Sequence, residues 1–240
     1  KTLFPYTTLF RSGGQRAMAA GRPGLAPRAG PGPLVRGAHM TSWVLLRGLT
    51  REAAHWGGFA DALALALQEA TGSAHRVLCV DLPGNGMYHG QRSPLQVGVM
   101  AAAVRAELQR RGVDGPVVPV AMSLGAMVAI QWAATAPREL AGCVLINTSA
   151  GGFSPPWHRL QPRHYATLAR MALAGATPLE HEQAVLDMTS AHAERHGGLP
   201  AVWAAIGAQH PVSRANALRQ VVAAARFRAP RNPPAVPGLV

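Results

Sequence analysis

From Ser42 onward, short apolar runs alternate with longer stretches of helical spacing. Trp43-Val44-Leu45-Leu46, Arg76-Val77-Leu78-Cys79-Val80-Asp81, Val117-Val118-Pro119-Val120-Ala121-Met122 and the run from Leu140 to Asn147 are rich in aliphatic side chains and bounded by breakers. Runs of that length and make-up predict buried strands. Between them, helical spacing predicts one helix from about Ala53 to Ala70 (Phe59, Leu63, Leu65, Leu67), stopped near Thr71-Gly72. Others are predicted from about Pro94 to Arg111 and from just after Ser123 to about Ala136-Pro137. Leu82-Pro83-Gly84-Asn85-Gly86 and Val113-Asp114-Gly115-Pro116 carry the signals of loops. Strands alternating with helices in this way predict a parallel sheet covered on both faces, the α/β class. After Asn147 the pattern changes. Residues 150–225 mix polar and apolar positions at helical spacing, with no further strand, and about 150–228 reads as a helical cap over the sheet. Pro233 to Val240 then reads as the opening of one more strand.

Composition narrows the classes. The chain has 240 residues, 48% hydrophobic and 14% charged, which suits one folded domain. Aromatics are only 5%, so Ala, Leu and Val must build the core. No stretch of about 18 residues is free of charges and breakers, so no membrane span is expected. The formal charge of +12 invites a nucleic-acid partner. Its distribution argues against one. Residues 1–40 hold six basic residues and no acid, while the remaining 200 carry 17 basic against 11 acidic. Lys1 is the only lysine, the mark of a GC-rich coding sequence. Arg214, Arg219, Arg226, Arg228 and Arg231 are read as a solvated basic face. Cys79 and Cys143 fall in predicted strands and read as buried free thiols, which fits a reducing, cytoplasmic setting.

The N-terminus stands apart. Residues 1–12 resemble a translated sequencing adapter, and 13–40 are rich in Gly, Pro, Ala and Arg with no apolar period, so they are expected to be disordered. Met18 or Met40 would be the native start. The folded domain is expected over 41–240.

Candidate chemistry centres on Ser123, in Ala121-Met122-Ser123-Leu124-Gly125. An apolar run leads in and an Ala-rich helix leads out, so the hydroxyl is placed at a sharp strand-to-helix bend beside small residues. An ordinary N-cap serine is the plainer alternative. His192 and His196 stand four apart, a spacing able to chelate zinc, but Glu194 is out of place for a metalloprotease and no third ligand is evident. They read as an exposed helix face. Gly84 and Gly86 give half of a dinucleotide fingerprint, interrupted by Pro83. Trp157, Tyr165 and Trp203 read as packing residues of the cap. Neither metal nor cofactor is expected.

The bend at Ser123 and the order of elements resemble the α/β-hydrolase superfamily, on its serine esterase and lipase side, over about residues 42–240. Leu46-Arg47-Gly48-Leu49 followed by His55-Trp56 is similar to that family's His-Gly loop, with Arg47 where many members have histidine. Asp81-Leu82-Pro83-Gly84-Asn85-Gly86 resembles the loop after its fourth strand, and Leu145-Ile146-Asn147-Thr148-Ser149 the end of its sixth. The resemblance implies a nucleophilic Ser123, with the backbone N–H groups of Leu124 and Leu49 as the oxyanion hole. Arg47 reads as solvated, with an acidic substrate group as the alternative.

The family order is serine, acid, histidine. No Asp or Glu follows Glu194 and no His follows His210. The chain is therefore expected to be a fragment that lacks the last strands, the acid and the base. Asp187 and His210 are weak substitutes. The function implied is hydrolysis of a small-molecule carboxylic ester or thioester through a serine acyl-enzyme. Haloperoxidases and acyltransferases keep the same serine. The alternative is a non-catalytic, hydrolase-like protein that binds a ligand or partner. The oligomeric state is left open.

Overall fold

The structure is a computed structural model that describes residues 41–153, 162, 166–167, 175–232 and 234–239. Five strands form one sheet: β1 (Ser42–Leu46), β2 (Arg76–Val80), β3 (Val117–Met122), β4 (Cys143–Ile146) and β5 (Gly238–Leu239). Their spatial order is β2-β1-β3-β4-β5, and every pairing is parallel. Among these, β1 lies between β2 and β3, with Leu46 paired to Val80 on one side and Ala121 on the other. The C-terminal ends of three strands therefore finish together, and the loops after them meet there.

The alternation of side chains divides the core. Val44, Leu46, Ala121 and Leu145 face one cluster, packed by Met100, Ala101, Val104 and Leu108 of α2 (Val97–Arg110) and by α3 (Leu124–Thr135). Nine of the twelve residues of α3 are buried, which makes it the innermost helix. Leu45 and Val120 face the other cluster, with Trp56 and with Ala60 and Leu63 of α1 (Phe59–Thr71).

Both faces of the sheet are covered, as expected, though not equally, and three other expectations need correction. Trp43, Val77, Cys79, Met122, Val144 and Ile146 on the second face are only partly buried, and α1 has no fully buried residue. Cys79 is thus half-buried, while Cys143 is buried; both are free thiols. The segment from 53 to 70 is not one helix. A 3₁₀ turn (Ala53–Trp56) is separated from α1 by Gly57 at φ +52° and Gly58, a left-handed step that a continuous helix does not allow. His192 and His196 do not share a helical face. His192 precedes a 3₁₀ turn (Ala193–His196) that runs into Gly197-Gly198.

After β4 the described chain forms α4 (Pro178–Thr189), α5 (Leu199–Gln209) and α6 (Arg214–Arg226). A capping box starts α4, with Thr177 and Glu180 bonding each other's backbone and Pro178 in the first turn. Ser213 caps α6 by accepting from the Asn216 N–H. Of the Arg-rich set, Arg214, Arg226, Arg228 and Arg231 are exposed, while Arg219 donates to the Ser93 carbonyl at 2.5 Å. Trp157 and Tyr165 lie outside the described residues. Among the described residues, no helix is long and apolar enough to cross a membrane.

Candidate active site

The bend between β3 and α3 is strained where Ser123 sits. Its φ is +53° and ψ −115°, a region that residues with a Cβ rarely occupy. Tertiary contacts hold it there. The Ser123 N–H donates to the Ile146 carbonyl at 3.0 Å, which ties the bend to β4. Its carbonyl accepts from the Met127 N–H and the Thr148 hydroxyl, both at 3.1 Å. Two glycines allow the close approach. A Cβ on Gly48 would lie 3.0 Å from the Ser123 Cβ and 3.5 Å from its Oγ. A Cβ on Gly125 would lie 2.6 Å from the Arg47 carbonyl oxygen.

Leu124 is the first residue of α3, so its N–H is among those that a helix leaves unpaired and its end of the helix carries partial positive charge. Leu49 directly follows Gly48, which packs on Ser123. The Ser123 Oγ has no hydrogen-bond partner among the described residues, histidine included.

A buried polar network fixes the loops around this bend. Gln220 on α6 is fully buried; its Oε1 accepts from the Thr50 N–H at 2.8 Å, and its Nε2 donates to Asn85 Oδ1 at 2.7 Å and Ser93 Oγ at 3.0 Å. Asn85 in turn donates to the Arg51 carbonyl at 3.0 Å. Thr50, at φ +55°, is thereby held from two sides. Asp81 accepts from the Ala53 N–H at 2.6 Å and the Met87 N–H at 3.1 Å, and Gly86 lies directly against its carboxylate. The two glycines of the half fingerprint thus serve loop packing: Gly84 lies against Ser93 and Asn216.

The charges beside the bend were only partly legible in sequence. Arg51 forms an ion pair with Glu182 of α4 at 2.5 Å, its guanidinium 4.9 Å over the Trp203 ring of α5. Glu52 meets His210 at 2.8 Å. Arg47 is not solvated as expected. It is half-buried, 5.0 Å over the Trp56 ring, with Nη1 3.6 Å from the Met122 sulfur. Burial, then the nearby Arg51 charge, lowers its pKa to about 10. Burial raises the Glu52 carboxyl above its usual range, against the opposing pull of His210.

His55 is pushed down to about 4 by burial and by the charges of Arg51 and Arg47. Its ring nitrogens face the Arg51 guanidinium at 3.1 Å and the Glu52 N–H at 3.2 Å, so an imidazolium would meet donors. The unfolded chain protonates this group near 6.5, the folded protein near 4. Between those values the unfolded state binds more protons, so stability falls as pH drops through that window. Discounted for partial solvent screening, the loss is about 2 kcal/mol. Urea titrations of His55→Gln at pH 7 and pH 4 are expected to show a correspondingly smaller pH dependence. An unchanged dependence would place the sensitivity elsewhere.

Asp187 and His210 do not meet at Ser123. Asp187 accepts from Gln183 on α4, and His210 is engaged with Glu52. His158 and His164 lie outside the described residues. Among the described residues, no group of His, Cys, Asp or Glu is placed to hold a metal ion. A groove of about 320 Å³ near Arg105, Trp132 and Glu139 involves none of the residues around Ser123.

The sequence matches the alpha/beta hydrolase family over residues 43–240, and the chain belongs to that family. No curated protein matches it. Among solved structures, it is similar to an N-acyl homoserine lactone degrading enzyme at 20% identity and a TM-score of 0.51, covering 78% of this chain and 64% of that one. It is also similar to the enol-lactonase from Burkholderia xenovorans, at 17% identity and a TM-score of 0.62, covering 85% and 72%. A third is the thioesterase of prodiginine biosynthesis from Streptomyces coelicolor, at 20% identity and a TM-score of 0.52, covering 90% and 75%. The chain spans less than two thirds of the first of these. At such identities the likeness establishes the fold.

Proposed function

We propose that the protein hydrolyses carboxylic esters or thioesters through an acyl-enzyme on Ser123. The observation that carries this reading is the bend: a serine at positive φ between β3 and α3, with Gly48 against its side chain and a helix N-terminus behind it. The names of the structural neighbours, two enzymes acting on lactones and a thioesterase, are in keeping with acyl chemistry.

In the first half-reaction the Ser123 Oγ bonds to the acyl carbon and its proton passes to a general base. The carbonyl oxygen takes up negative charge, met by the N–H groups of Leu124 and Leu49. The alcohol or thiol then leaves with a proton. Water attacks the acyl-serine, releasing the acid and restoring the hydroxyl. No described histidine bonds to Ser123, and in the family order the acid and then the histidine follow the serine.

Labelling with a fluorophosphonate probe tests the reading on the full-length protein. The wild type is expected to be labelled at Ser123, and Ser123→Ala is expected to lose all labelling. Labelling that persists in Ser123→Ala removes the assignment. Absence of labelling in the wild type favours the non-catalytic, ligand-binding reading, which the unpartnered Oγ supports.

A further inference from the structure

We propose that Arg47 is the recognition site for a carboxylate carried on the acyl chain of the substrate. The substrates would then be half-esters, or half-thioesters, of dicarboxylic acids. The inference rests on the reading of Ser123 as nucleophile and names the substrate class for that site.

The argument starts from an imbalance of charge. A guanidinium removed from water needs an anion or a full set of acceptors, because the cost of burying it unpaired is several kcal/mol. Arg51 meets that need through Glu182. Arg47, half-buried in the same region, does not. Among the described residues no carboxylate lies within ion-pair distance of it, and its buried Nε has no hydrogen-bond partner. Its contacts are a π face and a thioether sulfur, neither of which carries a negative charge.

The surroundings sharpen the imbalance. Arg51, although paired with Glu182, still repels Arg47, and His55, in contact with Arg51, stays neutral and offers no negative charge. Mutual repulsion and burial make this cluster more receptive to an anion than an isolated surface arginine would be.

Position links the cluster to catalysis. Arg47 directly precedes Gly48, which packs against the Ser123 side chain. Its Nη1 contacts Met122, the residue directly before Ser123. Arg47 thus stands at the end of β1, beside the bend that carries Ser123. A guanidinium can grip a carboxylate with two parallel N–H bonds, which fixes the acyl chain as well as neutralising it. Hydrolysis of such a half-ester consumes water and releases the dicarboxylate and the alcohol, with no further reactant.

The test compares monomethyl glutarate with methyl pentanoate, which replaces the free carboxylate by a methyl group. The wild type is expected to prefer the half-ester in kcat/KM by at least about tenfold. Arg47→Met is expected to lose about 100-fold on monomethyl glutarate, mostly in KM, and to change little on methyl pentanoate. Arg47→Lys keeps the charge and loses the fork, so it should recover only part of that loss. Equal losses on both esters, or no loss on either, overturn the proposal.

Two measurements separate this inference from the catalytic reading. Calorimetric titration of Ser123→Ala with monomethyl glutarate needs no turnover. Binding that disappears in Ser123→Ala/Arg47→Met supports the carboxylate site even if no ester is hydrolysed. Turnover of methyl pentanoate without any Arg47-dependent binding sinks the site and leaves the esterase intact. Thermal unfolding addresses a structural role. With no ligand bound, Arg47→Met removes an uncompensated charge and is expected to raise the melting temperature by about 2–4 °C. A fall of that size would mean that the counterion of Arg47 belongs to the protein itself.

Discussion

Gly125→Ala is expected to lower the unfolding free energy by about 3 kcal/mol and to abolish probe labelling at Ser123. Intrinsic helix propensity argues the other way, since alanine in place of glycine within a helix gains about 1 kcal/mol. The packing decides. The new Cβ would lie 2.6 Å from the Arg47 carbonyl oxygen, 2.7 Å from the Leu46 oxygen and 2.9 Å from the Leu46 carbonyl carbon. All three are backbone atoms at or just past the end of β1, a strand hydrogen-bonded on both sides. They cannot turn aside as a flexible side chain would. Nor can α3 retreat, because nine of its residues are packed in the core. Gly98 in α2 is the contrasting position: a Cβ there would meet only Gln131 Cγ, at 3.9 Å, so Gly98→Ala should be neutral or mildly stabilising. Urea midpoints of the two variants measure the difference. If Gly125→Ala matches or exceeds the wild type, the close approach of α3 to β1 is not what holds the bend.

The contrast between these glycines shows what the sequence made legible. The apolar runs of β1 and β3 bury side chains on both faces of a parallel sheet, so they stand out as continuous hydrophobic stretches, and β4 does so although its second face is only partly buried. The bend at Ser123 was legible because its demands are local: a strand, a small residue on each side, and a helix. Those same local rules cannot reveal that Gly98 is free and Gly125 is not. The interruption after Trp56 was missed because Gly57-Gly58 costs a helical pattern little on paper, while its positive φ ends the turn outright.

The polar side of the site was hidden for a different reason. Gln220 reaches Thr50 across 170 residues, and Asn85 across 135. In sequence, Gln220 is one of several polar positions on a helix that carries several arginines. Only its complete burial distinguishes it. The one available signal was the density of Arg51, Glu52 and His55 directly after Leu49 and Thr50, more charge than a plain connecting turn needs. Arg47 carried a similar hint, as a departure from the histidine of the family's loop. Whether it faced water depended on Trp56 and Met122, which the chain brings to it only on folding.

Glu182→Leu is expected to cost about 3–5 kcal/mol, one of the two largest effects foreseen for a single substitution in this chain. The pair it breaks is nearly dry, with side-chain exposures of 9% for Arg51 and 11% for Glu182. Surface screening, which reduces most ion pairs to a fraction of a kcal/mol, does not apply at that burial. Removing the carboxylate leaves Arg51 facing Trp203 and His55 with no anion, beside the already unpaired Arg47. Arg51→Met is expected to cost less, because a stranded Glu182 can neutralise itself by taking a proton, an escape that a guanidinium lacks. The double variant Arg51→Met/Glu182→Leu should return to within about 1 kcal/mol of the wild type, since two apolar side chains of similar length replace two desolvated charges. A coupling of about 2 kcal/mol or more in the urea-unfolding cycle is the expected signature. Additive single effects below about 1 kcal/mol would show the pair to be solvent-screened in solution, and would remove α4 as an anchor of the loop that follows β1.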